Sequence, residues 1–270
     1  ITKQGCVMNQ PNNAKLEALK KSWQQKKAIN DKLDKIGFKI GVYSGKGGVG
    51  KTTVAVNLAV SLGNKDKQVG ILDTDVDCPN VPKIIGVHQD AIYQNGVITP
   101  GQAFGVKVVS MGFFQENEEE AIIWRGPMIH NAINQFLQTT EWGDLDILVV
   151  DLPPGTSDAP LSVMQNLQLD GFVVVTTPHE LAKLDAKRSI NMIRKMNVDV
   201  IGVVENFSGG QFGSGGGESL AQEMDVPFLG CINLRDDYQL MDSPTIVKNK
   251  EANAEYEVIA NQVLSSLTNK

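Results

Sequence analysis

The chain of 270 residues is 41% hydrophobic and 6% aromatic, enough for one large domain with a full core. Its net charge of −6 argues against a general nucleic-acid surface, and no apolar run approaches the length of a membrane span. Three scattered cysteines (Cys6, Cys78 and Cys231) are too few for a disulfide framework and, with no leader visible, point to the cytoplasm.

Residues 1–36 read as an arm and a Lys-rich helix ahead of a main domain over 37–270. Ile1 to Asn13 is polar and reads as a trailing arm. In Ala14 to Ile36, Leu16, Leu19, Trp23, Ile29, Leu33 and Ile36 form an imperfect helical stripe, suited to packing on the domain's outside. Phe38 to Tyr43 is a short buried strand, and Val54 to Leu62 is an apolar helix. Between them lies Ser44-Gly45-Lys46-Gly47-Gly48-Val49-Gly50-Lys51-Thr52-Thr53. Gly45, Gly50, Lys51 and Thr52 meet the phosphate-loop spacing G-x-x-x-x-G-K-[ST], in the strand–loop–helix context the motif requires. Glycines let the backbone curl so that successive N–H groups face phosphate oxygens. The helix that follows adds its positive end. Lys51 should reach the β- and γ-phosphates, and the Thr52 hydroxyl should take one position on Mg²⁺.

Gln68 to Asp73 is a second buried strand, ending in a carboxylate. Asp73-Thr74-Asp75-Val76-Asp77-Cys78 puts three carboxylates at the strand's C-terminal end, where open α/β sheets bind ligands. Asp73 and Asp75 are read as organising Mg²⁺-bound and attacking water. Lys83 to Gln102 reads as an irregular excursion, Val106 to Met111 as a strand and Gln115 to Glu120 as an acidic loop. After Trp124-Arg125-Gly126-Pro127, a helix runs from about Met128 to Gln138.

Leu145 to Asp151 has the Walker B form, an apolar strand ending in aspartate, and makes Asp151 the Mg²⁺-side carboxylate. The Leu152-Pro153-Pro154-Gly155-Thr156-Ser157-Asp158 loop follows, where the Gly155 N–H can approach a γ-phosphate. Gly171 to Thr176 is a strand, and Glu180 to Met196 is a helix turning Lys183, Lys187, Arg188, Arg194 and Lys195 outward. Val198 to Val204 is a strand leading to Asn206, which is placed to hydrogen-bond a base. Val226 to Cys231 is a last strand, and Ala252 to Leu267 is the closing helix. Strands alternating with helices give an α/β fold with a doubly wound, mostly parallel sheet flanked by helices.

Lys46, directly after the first glycine, makes the loop resemble the deviant phosphate loop of the MinD/ParA/nitrogenase-iron-protein ATPases. In that group the extra lysine reaches across a two-fold interface to the partner's nucleotide. The resemblance therefore implies an ATP-dependent homodimer with Lys46 acting in trans. Four motifs stand together: the loop Gly45–Thr53; Asp73-x-Asp75-x-x-x-Pro79; Trp124-Arg125-Gly126-Pro127; and Asp151-x-Pro153-Pro154-Gly155-Thr156-x-Asp158. With Val203-Val204-Glu205-Asn206 and Gly215-Gly216-Gly217-Glu218, they closely resemble the Mrp/ApbC-type P-loop ATPases, described as iron–sulfur cluster carriers.

That resemblance implies a slow ATPase using ATP and Mg²⁺, with Lys46, Lys51 and Asp75 catalytic. Gly45, Lys46, Gly47, Gly48, Val49, Gly50, Lys51, Thr52, Thr53, Gly155 and Asn206 hold nucleotide; Thr52, Asp73 and Asp151 serve the metal. It also implies protein partners in iron–sulfur assembly or regulation. Cluster-carrying members have a Cys-x-x-Cys after the Glu-Asn segment, which pairs across the dimer to bridge one cluster. Here Phe207 to Ser214 holds no cysteine. Cys78 with Cys6 is one substitute; inert burial of Cys78 and Cys231 is the plainer reading. Asp77 adds unusual negative charge beside the nucleotide.

Two other classes stand beside the leading one. One is a MinD/ParA-like positioning or regulatory ATPase, although the Glu-rich closing helix argues against membrane binding. The other is a nucleotide-gated scaffold that carries no cluster and scarcely hydrolyses ATP.

Overall fold

The computed structural model describes residues 29–87, 91–114, 126–156, 158–239 and 242–268, with positions 17, 20, 23 and 27 ahead of them. Short runs of β-branched and aliphatic residues make the central strands. These are β1 (Ile36–Tyr43), β2 (Val69–Asp73), β6 (Val106–Ser110), β7 (Leu145–Asp151), β8 (Gly171–Thr176), β9 (Val200–Ser208) and β10 (Phe228–Asn233). Between and after them run α1 (Lys51–Gly63), α2 (Val81–Ile85), α3 (Gly126–Thr139), α4 (Asp158–Asn166), α5 (Glu180–Lys195), α6 (Gly216–Met224), α7 (Thr245–Lys248) and α8 (Lys250–Thr268). Three short strands, β3 (Ile92–Gln94), β4 (Val97–Thr99) and β5 (Gly101–Ala103), precede β6.

The main sheet has eight strands in the order β10-β9-β8-β1-β7-β2-β6-β5, parallel throughout except for the β5–β6 pair. Alternation along the strands sends side chains to two separate cores. In β7, Ile147 and Val149 join the core under α1 and α8, while Leu148 and Val150 join the core under α3 and α5. In β8, Val173 and Val175 go one way, and Phe172 and Val174 the other. The doubly wound reading of the sequence is the architecture observed.

Lys83 to Gln102, read as an irregular excursion, has regular structure among its described residues. It holds the end of α2, the β3–β4 hairpin and the start of β5. Asn95 and Gly96 both have positive φ, 54° and 80°, and they turn the hairpin as a two-residue loop. Asn-Gly between short strands is a strong hairpin signal, and here it was present in the sequence. Of the N-terminal stripe, Ile29, Leu33 and Ile36 are buried in the second core, but Trp23 is 70% exposed and takes no part. Leu16 and Leu19 lie outside the described residues, as do the arm and the Gln115–Glu120 loop. Among the described residues, no helix is long and apolar enough to cross a membrane.

One buried polar side chain ties the first helix to the C-terminal part of the chain. Asn57, in the middle of α1, donates through Nδ2 to the Thr53 carbonyl at 2.9 Å. Its Oδ1 accepts the Ile246 N–H at 3.1 Å, closing the N-terminal end of α7 onto α1. Asn57→Leu keeps the volume but strands the Ile246 donor in the core. It should cost about 1–3 kcal/mol, read as a lower urea midpoint at unchanged slope.

Candidate functional site: a phosphate loop backed by a buried ion pair

The site gathers at the C-terminal edge of β1, β7 and β2, three neighbours in the sheet. Register sets its geometry: Val42 is opposite Asp151, and Asp151 is opposite Asp73. Two carboxylates therefore lie side by side beneath the loop that leaves β1. Lys51, the first residue of α1, answers them. Its Nζ lies 2.6 Å from Asp151 Oδ1, with Lys51 only 6% exposed and Asp151 fully buried. The Thr52 hydroxyl lies 3.4 Å from the same ammonium. The Asp151 backbone carbonyl is held by the Thr74 N–H at 3.0 Å and the Thr74 hydroxyl at 2.8 Å.

Asp73 is enclosed by donors. Oδ1 accepts the Asp75 N–H at 3.1 Å; Oδ2 accepts the Ser110 hydroxyl at 2.9 Å and the Val81 N–H at 3.2 Å. Burial first, and then the neighbouring Asp151, push its carboxyl up to about 7, against the pull of Lys51 and these donors. Asp75 is also raised, again chiefly by burial. Its Oδ1 accepts the N–H groups of Asp77 at 3.3 Å and Cys78 at 3.2 Å. Asp77 and Cys78 are themselves exposed.

The loop is shaped by what presses on it. A Cβ on Gly45 would sit 2.2 Å from the Asp185 carbonyl of α5. Gly50, at φ 77°, would put a Cβ 2.2 Å from Asn206 Nδ2 and 2.9 Å from the Phe207 ring. Asn206 itself is fully buried and donates to the Val49 carbonyl at 2.8 Å. Ser44 Oγ donates to the Lys46 carbonyl at 2.9 Å. Gly47 and Gly48 are exposed, Val49 is buried, and Lys46, Thr52 and Thr53 are half-buried. The Gly155 N–H donates to the Ser44 carbonyl at 3.1 Å, so the structure brings the loop after β7 against the first turn of the phosphate loop.

Two buried acceptors here have no hydrogen-bond partner among the described residues: Asp151 Oδ2 and Asn206 Oδ1. A buried carboxylate oxygen beside a lysine and a threonine hydroxyl suits a hard cation such as Mg²⁺, which takes few protein ligands. Among the described residues no three carboxylate, thiolate or imidazole groups form a metal cage by themselves.

The motifs give no role to Thr74, Ser110 or Glu205, although Glu205 stands in the Val203–Asn206 motif. Thr74 and Ser110 carry only a weak signal, a hydroxyl at the end of a buried strand. Glu205 is 1% exposed and accepts from Ser208 Oγ at 2.7 Å, Gly215 N at 3.1 Å and Gly217 N at 2.5 Å. It caps the start of α6 and accounts for the glycine run, since a Cβ on Gly217 would meet Glu205 at 2.7 Å. Cys78 and Cys231 are both exposed, which corrects the expectation of buried thiols. Cys78 lies on a surface turn, and Cys231 lies on the edge strand β10, where no neighbouring strand covers it. Cys6, Trp124, Arg125 and Ser157 lie outside the described residues.

A glycine loop between a buried strand and an apolar helix, backed by aspartates on adjacent parallel strands, defines a P-loop NTPase. More narrowly, the chain belongs to the ParA-type family described as NUBPL iron-transfer P-loop NTPase, whose sequence profile matches residues 35–267. An iron–sulfur cluster carrier protein of Methanocaldococcus jannaschii is 39% identical over 265 residues, 92% of this chain and 91% of its own. One from Pyrococcus furiosus is 46% identical over 226 residues, 76% of each chain. The nucleotide-binding protein of Archaeoglobus fulgidus, solved in complex with ADP, matches at TM-score 0.71 and 36% identity, over 82% of this chain and 92% of that one. The cell division ATPase MinD of Pyrococcus furiosus shares the fold at TM-score 0.68 and 22% identity, over 85% and 99% of the two chains.

Asp73 gives the site a pH signature. An acid held above its unfolded value binds its proton more tightly in the folded chain. Its stabilising contribution is complete below about 4 and is lost as pH rises through about 7. Without nucleotide or Mg²⁺, wild-type stability should fall relative to Asp73→Asn across that window, by on the order of a few kcal/mol. Urea titrations at a series of pH values measure it. Parallel profiles would mean that the three donors already hold Asp73 ionised.

Proposed function

We propose that the chain is a homodimeric ATPase of the iron–sulfur cluster carrier family, working in the cytoplasm with ATP and Mg²⁺. The observation that carries this reading is the buried Lys51–Asp151 pair with Asp151 Oδ2 left unpartnered beside it. A lone buried ion pair is a poor source of stability, because desolvation offsets most of its attraction. It makes sense as a pair that exchanges partners.

On binding ATP, the Lys51 ammonium transfers from Asp151 to phosphate oxygens, and the N–H groups of residues 45–53 close around them. Mg²⁺, when bound, supplies charge neutralisation at the phosphates; Thr52, Asp151 and Asp73 are the residues to hold it and its waters. Asp75, with Oδ1 fixed by two N–H groups, keeps Oδ2 to orient the attacking water. Asn206 Oδ1 is the acceptor available to an adenine amino group. Lys46 makes no ion pair with a described residue and is free to stabilise charge on the partner's nucleotide. Catalysis on this reading is positioning and electrostatics, with no covalent intermediate.

The cluster is cargo, and the thiols that would bridge it are not at the usual place. We therefore read the chain as keeping the family's ATP switch and acting with other proteins of iron–sulfur assembly. A DNA-positioning role gains nothing from α5: Lys183, Lys187 and Arg188 each pair with a carboxylate, of Glu180, Glu223 and Asp185.

Lys51→Ala should abolish ATP binding in equilibrium titrations. Lys46→Ala should retain binding and lose hydrolysis; normal phosphate release by that variant would refute action in trans. Anaerobic reconstitution with iron and sulfide should give a substoichiometric cluster by visible absorption. A stoichiometric cluster lost in Cys78→Ser would instead make the chain a carrier through new ligands.

A further inference from the structure

Tyr43 is the last residue of β1, immediately before the phosphate loop, and no motif includes it. Its side chain is fully buried. The ring meets Phe172 edge-on, with centroids 6.3 Å apart. Phe would satisfy that contact equally well, so packing alone does not account for the hydroxyl. The hydroxyl donates to the carbonyl of Gly155. The same residue's N–H donates to the Ser44 carbonyl at 3.1 Å. Gly155 is thus gripped on both sides, by the backbone and by the side chain of two consecutive residues at the start of the phosphate loop.

The hydroxyl also reaches α5. Ser189 of that helix lies beside it, and Ser189 Oγ donates to the Asp185 carbonyl at 3.1 Å. That carbonyl is the group packed against Gly45. One buried phenol therefore ties the start of the phosphate loop to the loop after β7, beside the helix that presses on the first loop glycine.

We infer that the Tyr43 hydroxyl is a latch holding the 152–156 loop where the Gly155 N–H faces Ser44, and so a positioning residue for γ-phosphate sensing. For the Gly155 N–H to turn to a γ-phosphate it must leave Ser44. The Tyr43 bond opposes that movement by fixing the next peptide. ADP makes no such demand, so the latch discriminates between the two nucleotide states. The inference rests on the proposed reading of Gly155 as the γ-phosphate sensor, and it adds the residue that restrains it.

The test is Tyr43→Phe in the full chain, with two readouts. In nucleotide-free protein, hydrogen exchange across 152–156 should speed up several-fold while β7 keeps its protection; unchanged exchange would overturn the latch. With Mg²⁺, the preference for a slowly hydrolysed ATP analogue over ADP should rise about 2- to 10-fold, the equivalent of one net hydrogen bond. An unchanged ratio, with both nucleotides still bound, removes Tyr43 from sensing and leaves the ATPase reading intact. If the wild type binds neither nucleotide, that reading falls and sensing falls with it, while exchange still decides whether the latch exists. Ser189→Ala disturbs the same hydroxyl from α5 but leaves its bond to Gly155. It should not move the ratio, and an equal shift there would assign the effect to packing and overturn the latch.

Discussion

The contact on which the site depends is the Lys51–Asp151 ion pair, 2.6 Å long and shut away from solvent at the junction of β7 and α1. A charge buried there is costly unless it is paired, and each partner offsets that cost for the other. The pair fixes where α1 begins relative to β7. It also fixes the mouth of the phosphate loop, since Lys51 is both the loop's end and the helix's first residue. Parallel register then places Asp73 beside Asp151 and brings Ser110 beside Asp73. The result is a small patch of charge and hydroxyls in an otherwise aliphatic sheet. On the proposed reading, phosphate and a divalent cation relieve its electrostatic frustration.

Around that pair, the loop's shape comes from outside itself. α5 bears on Gly45, and the end of β9 bears on Gly50 through Asn206 and Phe207. The phosphate loop is thereby packed against α5 on one side and the end of β9 on the other. Just past β9, this chain makes a tight glycine turn. The Gly209 N–H closes it onto the Gly213 carbonyl at 2.7 Å, and Phe212 at its tip is half exposed. Glu205 anchors the far side of this turn by capping α6.

What the sequence determined by itself was the strand–loop–helix order, the doubly wound sheet and the identity of the phosphate loop. These rest on local signals: short aliphatic runs, glycines at fixed spacing, and an aspartate ending a buried strand. Even the missed β3–β4 hairpin had its local signal in Asn95-Gly96. Tertiary structure alone decided which groups meet. Nothing near Tyr43 in the chain announces Gly155, 112 residues away, and nothing near Asn57 announces Ile246, 189 residues away. Likewise, nothing near Glu205 in the chain announces the Gly215 and Gly217 N–H groups it accepts from. Local patterning sets which elements form because it acts on adjacent residues. Partner choice for buried polar groups is settled only when the sheet order and register bring distant strand ends together, where each donor and acceptor must find its complement out of water.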